Sequence, residues 1–518
     1  MRSFRMLAVA VATVIAGSGC TAPAAEGGSA GHPHDRDALR VVGPFEVHSV
    51  APVESSGLFT RLEVAETLVS SDLEGELQPG LSPSWTDSAD GREWTFDLPA
   101  DATFHDGTPV TADAVAASLQ AAYEESASPL AAAPVERIAA AGDAVRIELD
   151  QQYPSLPATL THYSTAVLAP ASWDGGRVTE VIGTGPYEIE DVELPARVEV
   201  TRFEDFRGEA PAIEQVSFQT VARAESRALM AVSDQADVVF GLEPAGRERV
   251  DGSDTAEMVS SLQPRSLMMK VNVEDPVLED VRVRQALSLA LDRESMADAV
   301  LREPDLAATQ LFPPSLTAWN QPDLEPLEHD TEAAAALLDE AGWTAGPDGV
   351  RTKGGQPLEL TLTTYPDRPE LPALATAIQA SLEDVGVAVR VDVTNSSEIP
   401  ARHADGSLQL GLLAKHLALV TDPLPTVAET FAEEGSEWGV MEWRNDDVAR
   451  AIADLEAGAD EDEAEQDRAT IATAAQEELP LIPVAWYRMN AAVSGHVDGF
   501  VMDPLERTWH LSQATWAS

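Results

Sequence analysis

Residues 104–115 read FHDGTPVTADAV, and His105 beside Asp106 offers the imidazole and carboxylate that metal centres and general bases use. The neighbours redirect that reading. Asp106-Gly107 is turn chemistry, Pro109 stiffens the exit, and Thr111 followed by Asp113 reads as an N-cap with an acid in the first helical turn. The stretch is expected to be a strand-turn-helix junction. His32 and His34 form an H-x-H that could hold a transition metal, but they fall in an Ala-, Gly- and Pro-rich segment where no such role is expected. The acidic run EAGADEDEAEQDRA at 456–469 suits a solvated helix face or loop better than a cation site. A secreted hydrolase would need G-x-S-x-G, H-E-x-x-H or a paired histidine cluster, and none is present in the folded region. GTGPY at 183–187 lacks the G-x-x-x-x-G-K-[ST] pattern of a phosphate loop and is read as a tight turn. The chain is therefore read as a non-enzyme with no cofactor.

Bulk properties narrow the partners. With 88 acids against 33 bases the formal net charge is −55, which argues against nucleic acid or an anionic membrane surface. At 518 residues two or three lobes are expected, each with its own interior. The N-terminus MRSFRMLAVAVATVIAGSGC has Arg2 and Arg5, a short apolar run, then small residues ending at Cys20. That is the plan of a secretory signal over 1–19, too short to span a bilayer. Cys20 is the sole cysteine. Its place directly after the apolar run resembles a lipidated lipobox cysteine, although Gly17 stands where Leu is usual. Residues 20–38 then read as a flexible tether, so the expected attachment to the outer face of the cell membrane is through lipid alone.

Beyond residue 38, strand and helix signals alternate. LRVVGPFEV (39–47) reads as a strand, and LFTRLEVAETLV (58–69) places Leu58, Leu62, Ala65, Leu68 and Val69 at helical spacing. Asp90-Gly91 between strand-like runs predicts a hairpin. TEAAAALLDEAGW (331–343) predicts a helix capped by Thr331 and stopped at Gly342. PLELTLTTY (357–365) alternates like a half-buried strand. Such alternation builds open α/β sheets covered by helices.

Seven collinear segments then resemble one family, the extracytoplasmic solute-binding proteins of peptide, nickel and opine ABC importers, bacterial extracellular solute-binding family 5. They are ETLV through FHDGTPVTADAV (66–115), GTGPYEIE (183–190), RFEDFRGEAPAIEQVSF (202–218), VRVRQALSLALDRESM (281–296), AAALLDEAGW (334–343), TDP (421–423) and ELPLIPVAWY (478–487). The resemblance implies a two-lobe periplasmic-binding-protein-like α/β fold of type II, in its large cluster C form, with a hinge. Lobe I would take 39–265, including an extra subdomain over about 78–195, and lobe II 266–481, with 482–518 returning to lobe I. A small solute would be enclosed between the lobes of a monomer and passed to an ABC permease driven by a separate ATPase.

The resemblance also implies where the solute would sit: the segment 58–61, the loop ending at Thr421-Asp422-Pro423, and the last long strand. Candidate contacts are Leu58, Phe59, Arg61, His416, Asp422, Trp486 and Tyr487. Arg61 could pair bidentately with a carboxylate or merely pair with nearby Glu66. His416 could complete the coordination of a metal chelate or sit as an interior histidine. Leu58 and Phe59 could touch solute or pack the helix, and Asp422 could only cap the next helix. Peptide-binding members commonly hold an Asp four residues before that Pro, where this chain has Leu419, so a metal chelate or opine-like solute is favoured over an oligopeptide.

Overall fold

The computed structural model describes residues 38–518 apart from 367, 369, 419 and 434. Cys20, His32, His34, the signal and almost all of the tether, and Leu419 therefore lie outside the described residues. Among those described, no helix is long and apolar enough to cross a membrane.

One ten-stranded sheet runs through the molecule. In chain order its strands are β1 (Leu39–Gly43), β2 (Tyr187–Glu193), β3 (Arg197–Arg202), β4 (Gln215–Thr220), β5 (Val238–Phe240), β6 (Ala256–Val271), β7 (Glu359–Thr364), β8 (Ala388–Val393), β9 (Leu410–His416) and β10 (Leu481–Ser494). Their spatial order is β2-β3-β4-β1-β5-β10-β6-β9-β7-β8. The two long antiparallel strands β6 and β10 form the middle and belong to both halves. Hydrophobic packing divides along them. Leu267 to Val271 and Leu481 to Ala485 join a core built from the residues between them. Ala491 and Val493 join a second core with β1 to β5 and the C-terminal residues. A third core fills a smaller unit from Leu68 to Ala169.

Sequence and structure agree where a local signal is strong. The predicted hairpin pairs Trp85–Asp87 with Glu93–Asp97. Thr111 caps the helix Ala112–Glu124 by accepting the Ala114 N–H at 3.2 Å. Two expectations are corrected. The helix at Thr331–Glu340 is capped not by Thr331 but by Asp330, which accepts the Ala333 N–H at 2.9 Å. The segment 58–69 is helical only over Leu58–Arg61. Glu63 turns left-handed at φ 55°, and the GTGPY loop lies against the exposed carbonyls. A Cβ at Gly183 would come within 2.1 Å of the Val64 carbonyl oxygen, and one at Gly185 within 2.0 Å of that of Glu63. Only glycine permits that approach. The apolar spacing reported burial of an irregular segment rather than a helix face.

His105 belongs to the same junction. Its Nε2 pairs with the Gly185 carbonyl at 3.0 Å, its backbone N–H donates to Gly183, and its ring meets Phe203 edge-on at 4.8 Å. Asp106 accepts the Thr108 N–H and hydroxyl at 2.9 and 2.6 Å. His105 thus ties the third core to the Gly183–Gly185 loop and Phe203, while Asp106 closes the turn itself, as the turn chemistry implied.

Candidate functional site

The site forms where β6 breaks register. Gln263 pairs with Tyr487 and Ser266 with the adjacent Trp486, so Pro264 and Arg265 have no partner on β10. Proline lacks the N–H a ladder requires and is at home in such a bulge. On the other side Arg265 faces His416, the last residue of β9. The bulge thus gathers Gln263, Arg265, His416 and Tyr487 at the middle of the long strands.

Two further elements close on this point. The short helix Leu58–Arg61 starts from Gly57, at φ 78° and packed so tightly on the Tyr163 ring that a Cβ would lie 2.8 Å from it. From its last residue, Arg61 Nε donates to the Glu506 carbonyl at 2.7 Å, and Nη2 lies 3.6 Å from Glu506 Oε2. The loop after β7 brings Arg368 and Glu370, whose charged groups stand 3.9 Å apart. The Arg265 and Arg368 guanidiniums stand 5.0 and 5.5 Å from the centre of the Tyr487 ring, within cation-π range.

Electrostatics follow from this packing. Burial, reinforced by the positive charge of Arg265, pushes His416 down to about 3, so the imidazole is neutral. Its Nδ1 is buried and has no hydrogen-bond partner among the described residues. Burial alone would raise the Glu506 carboxyl, yet Arg61 and Arg265 hold it below the ordinary carboxylate range. Gln263, fully buried, lies near enough to favour the Glu506 anion without forming a well-aligned hydrogen bond. The Arg265 guanidinium makes no hydrogen bond or ion pair among the described residues, its contact being with the Tyr487 ring. Three guanidiniums against two carboxylates leave this cluster one positive charge in a chain of net charge −55.

The structure brings together three of the seven sequence candidates, Arg61, His416 and Tyr487. Arg61 does not pair with Glu66, whose carboxylate is taken bidentately by Arg207 at 2.7 Å on each oxygen. Leu58 and Phe59 are each 3% exposed and belong to the lobe I core. Trp486 points away, its Nε1 donating to the Gln310 carbonyl at 3.1 Å, because successive strand residues face opposite sides. Asp422, one residue ahead of the N-cap Pro423, accepts the first N–H of that helix, from Leu424, at 2.9 Å and the Ser155 hydroxyl, so it ties the start of the helix to the unit of the third core. Sequence reasoning missed Tyr163, Gln263, Arg265, Arg368, Glu370 and Glu506. Of these, Arg265 left a trace, since a proline inside a strand pattern marks a bulge.

Other depressions lack this mixture. One between the helices Asp446–Glu456 and Glu461–Glu478 is lined by Asp454, Asp462, Glu463 and Asp467 with no base. A cavity of about 810 Å³ behind Arg61 is lined by Glu66, Asp72, Glu74, Arg207, Arg507 and His510, whose arginines are already engaged by Glu66 and Asp503. Among the described residues no cluster of His, Cys, Asp and Glu could hold a metal ion by itself.

Residues 76–437 match the model of the bacterial extracellular solute-binding proteins, family 5, middle segment. The chain belongs to that family. The nickel-binding periplasmic protein of Escherichia coli K12 is 30% identical over 380 residues, 70% of this chain and 72% of that one. The dipeptide-binding protein of the same organism is 25% identical over 330 residues, 62% and 59% of the two chains. NikA from Brucella suis, solved in complex with Fe(III)-EDTA, superposes with a TM-score of 0.84 at 24% identity, covering 92% of this chain and 100% of that one. As a family 5 binding protein the molecule is a non-enzymatic, extracytoplasmic component of an ABC importer with a two-lobe fold.

Proposed function

We propose that this binding protein captures a metal chelate bearing carboxylates, at the pocket formed by Arg61, Arg265, Arg368, His416 and Tyr487, and delivers it to its permease and ATPase. The observation that carries the reading is a neutral, unpartnered His416 nitrogen set among three arginines. Imidazole suits nickel, copper and related ions, but guanidiniums within a few ångströms would repel a bare dication. The ion is therefore accepted already wrapped in carboxylates, which the arginines bind as planar forks while His416 fills an open coordination position. The lobes close about the β6 and β10 bulge, so that solute contacts both halves only in the closed state. In this reading the mature chain is a monomer anchored to the outer face of the membrane through lipid on Cys20.

A peptide is the second reading, supported by one observation. Glu370 Oε1 is buried without a hydrogen bond and could receive an α-ammonium. Mass spectrometry with metal analysis of the solute that co-purifies with residues 38–518 separates the two. A stoichiometric metal with a polycarboxylate supports the chelate, whereas a metal-free peptide would replace it.

A further inference from the structure

We infer that Glu506 is a specificity-determining residue, a built-in counter-ion that fixes the net charge of the chelate this pocket accepts; this rests on the chelate reading. Glu506 reaches the site from the C-terminal return, far from every other pocket residue in the chain except Tyr487, and its backbone is held left-handed at φ 56°. That conformation is uncommon for a residue with a Cβ. The helix turn that carries Arg61 secures it through the 506 carbonyl, at 2.7 Å from Nε, and that bond leaves the side chain free for another task. The carboxylate stands 3.6 Å from Arg61 Nη2, beyond a tight fork, and it also feels Arg265. It therefore occupies part of the seat that a carboxylate of the solute would take between these two arginines.

The consequence is a charge filter. Without Glu506 the described groups would be three guanidiniums against Glu370 alone, and the pocket would favour the most anionic chelate available. With it, one positive charge is cancelled from within, and chelates near neutrality are accepted while strongly anionic ones meet a fixed carboxylate. Tyr163 and Tyr487 both stay in their uncharged phenol form, since burial raises each of them, and His416 is neutral. Among the described residues, the other groups acting on Glu506 are Arg61, Arg265 and Gln263, and none of them changes that count near neutral pH.

The test is calorimetric titration of the wild type, Glu506→Gln and Glu506→Asn with three probes of similar bulk: nickel–dihistidine (neutral), Fe(III)-EDTA (singly negative) and Ni(II)-EDTA (doubly negative). Gln keeps the side-chain shape, and Asn tolerates the left-handed backbone if Gln fails to fold. The expected result is a gain of roughly tenfold for each added negative charge of the probe in either variant, with the neutral probe changed by less than about threefold. An equal change for all three probes, or none, overturns the assignment of Glu506 and leaves the chelate reading standing. Failure of the wild type and both variants to bind any of the three sinks the chelate reading, and the role of Glu506 with it.

Discussion

Two arginine–glutamate pairs leave the same short stretch of chain and end differently. Glu66 and Arg207 form a complete fork, with both oxygens at 2.7 Å and side chains 20% and 18% exposed. Arg61 and Glu506 are as enclosed, at 14% and 21% exposed, yet the carboxylate stands off at 3.6 Å and the strong bond goes to a backbone carbonyl. The first pair has spent its hydrogen-bonding capacity and can only hold structure. The second keeps donors and acceptors in reserve. Two histidines differ in their surroundings rather than in their pairing. Both leave Nδ1 buried without a hydrogen-bond partner among the described residues, but His105 lies in a turn with Nε2 on the Gly185 carbonyl and Phe203 against its ring, whereas His416 stands beside Arg265. On the proposed reading, what distinguishes a receptor group from a structural one here is unused valence beside charged partners that could seat a solute, a property that residue type alone does not reveal.

Four experiments break or sharpen that contrast. The largest effect is expected for His416→Ala, which should lower affinity for nickel–dihistidine about a hundredfold or more, beyond the effect of disturbing a group that merely orients a metal ligand. His105→Ala should leave the same affinity unchanged, and equal losses in calorimetry would erase the distinction between the two histidines. Next, Arg207→Ala should cost about 2 kcal/mol of stability in urea unfolding with solute affinity intact. Arg61→Ala should weaken a carboxylate-bearing chelate by more than tenfold; unchanged affinity would remove Arg61 from the site. The smallest effect concerns acid. His416 falls from an ordinary value near 6.5 to about 3, so below pH 6.5 the unfolded chain takes up a proton that the native chain refuses. Stability is full above that value and is lost as pH falls toward 3. Between pH 7 and pH 6 the loss should be about 0.7 kcal/mol, and His416→Gln should remove it in parallel urea titrations.

The fold was legible where chemistry is local. A hairpin Asp-Gly, a capping Thr111 and an alternating strand at 359–364 need only their neighbours, and seven ordered segments pointed to the family. The helix expected over 58–69 misled because a buried irregular segment and a helix face can share apolar spacing. The site was half legible for a related reason. Arg61 and His416 stood in segments that the resemblance marks, but Glu506 lies 445 residues from Arg61, and no local pattern announces such a partner. Trp486 and Tyr487 are neighbours on one strand, which must turn one of them away, and it is the bulge in β6 rather than either residue type that brings Tyr487 to the site. Asp422 found its partner Ser155 across the molecule, again beyond any local pattern.

The bulge at Pro264 and Arg265 has a mechanical corollary. Groups mounted on the axle of a door travel little when it swings, while its handle sweeps a wide arc. On the proposed reading Arg265, His416 and Tyr487 ride on that axle, and an arriving solute would meet them already mutually aligned, whether the door stands ajar or shut. In the proposed closing motion the Ser155–Asp422 hydrogen bond, away from the bulge, would act as the latch. Recognition and latching are thereby given to different places, and a change at the latch should alter how long the solute stays more than which solute is chosen.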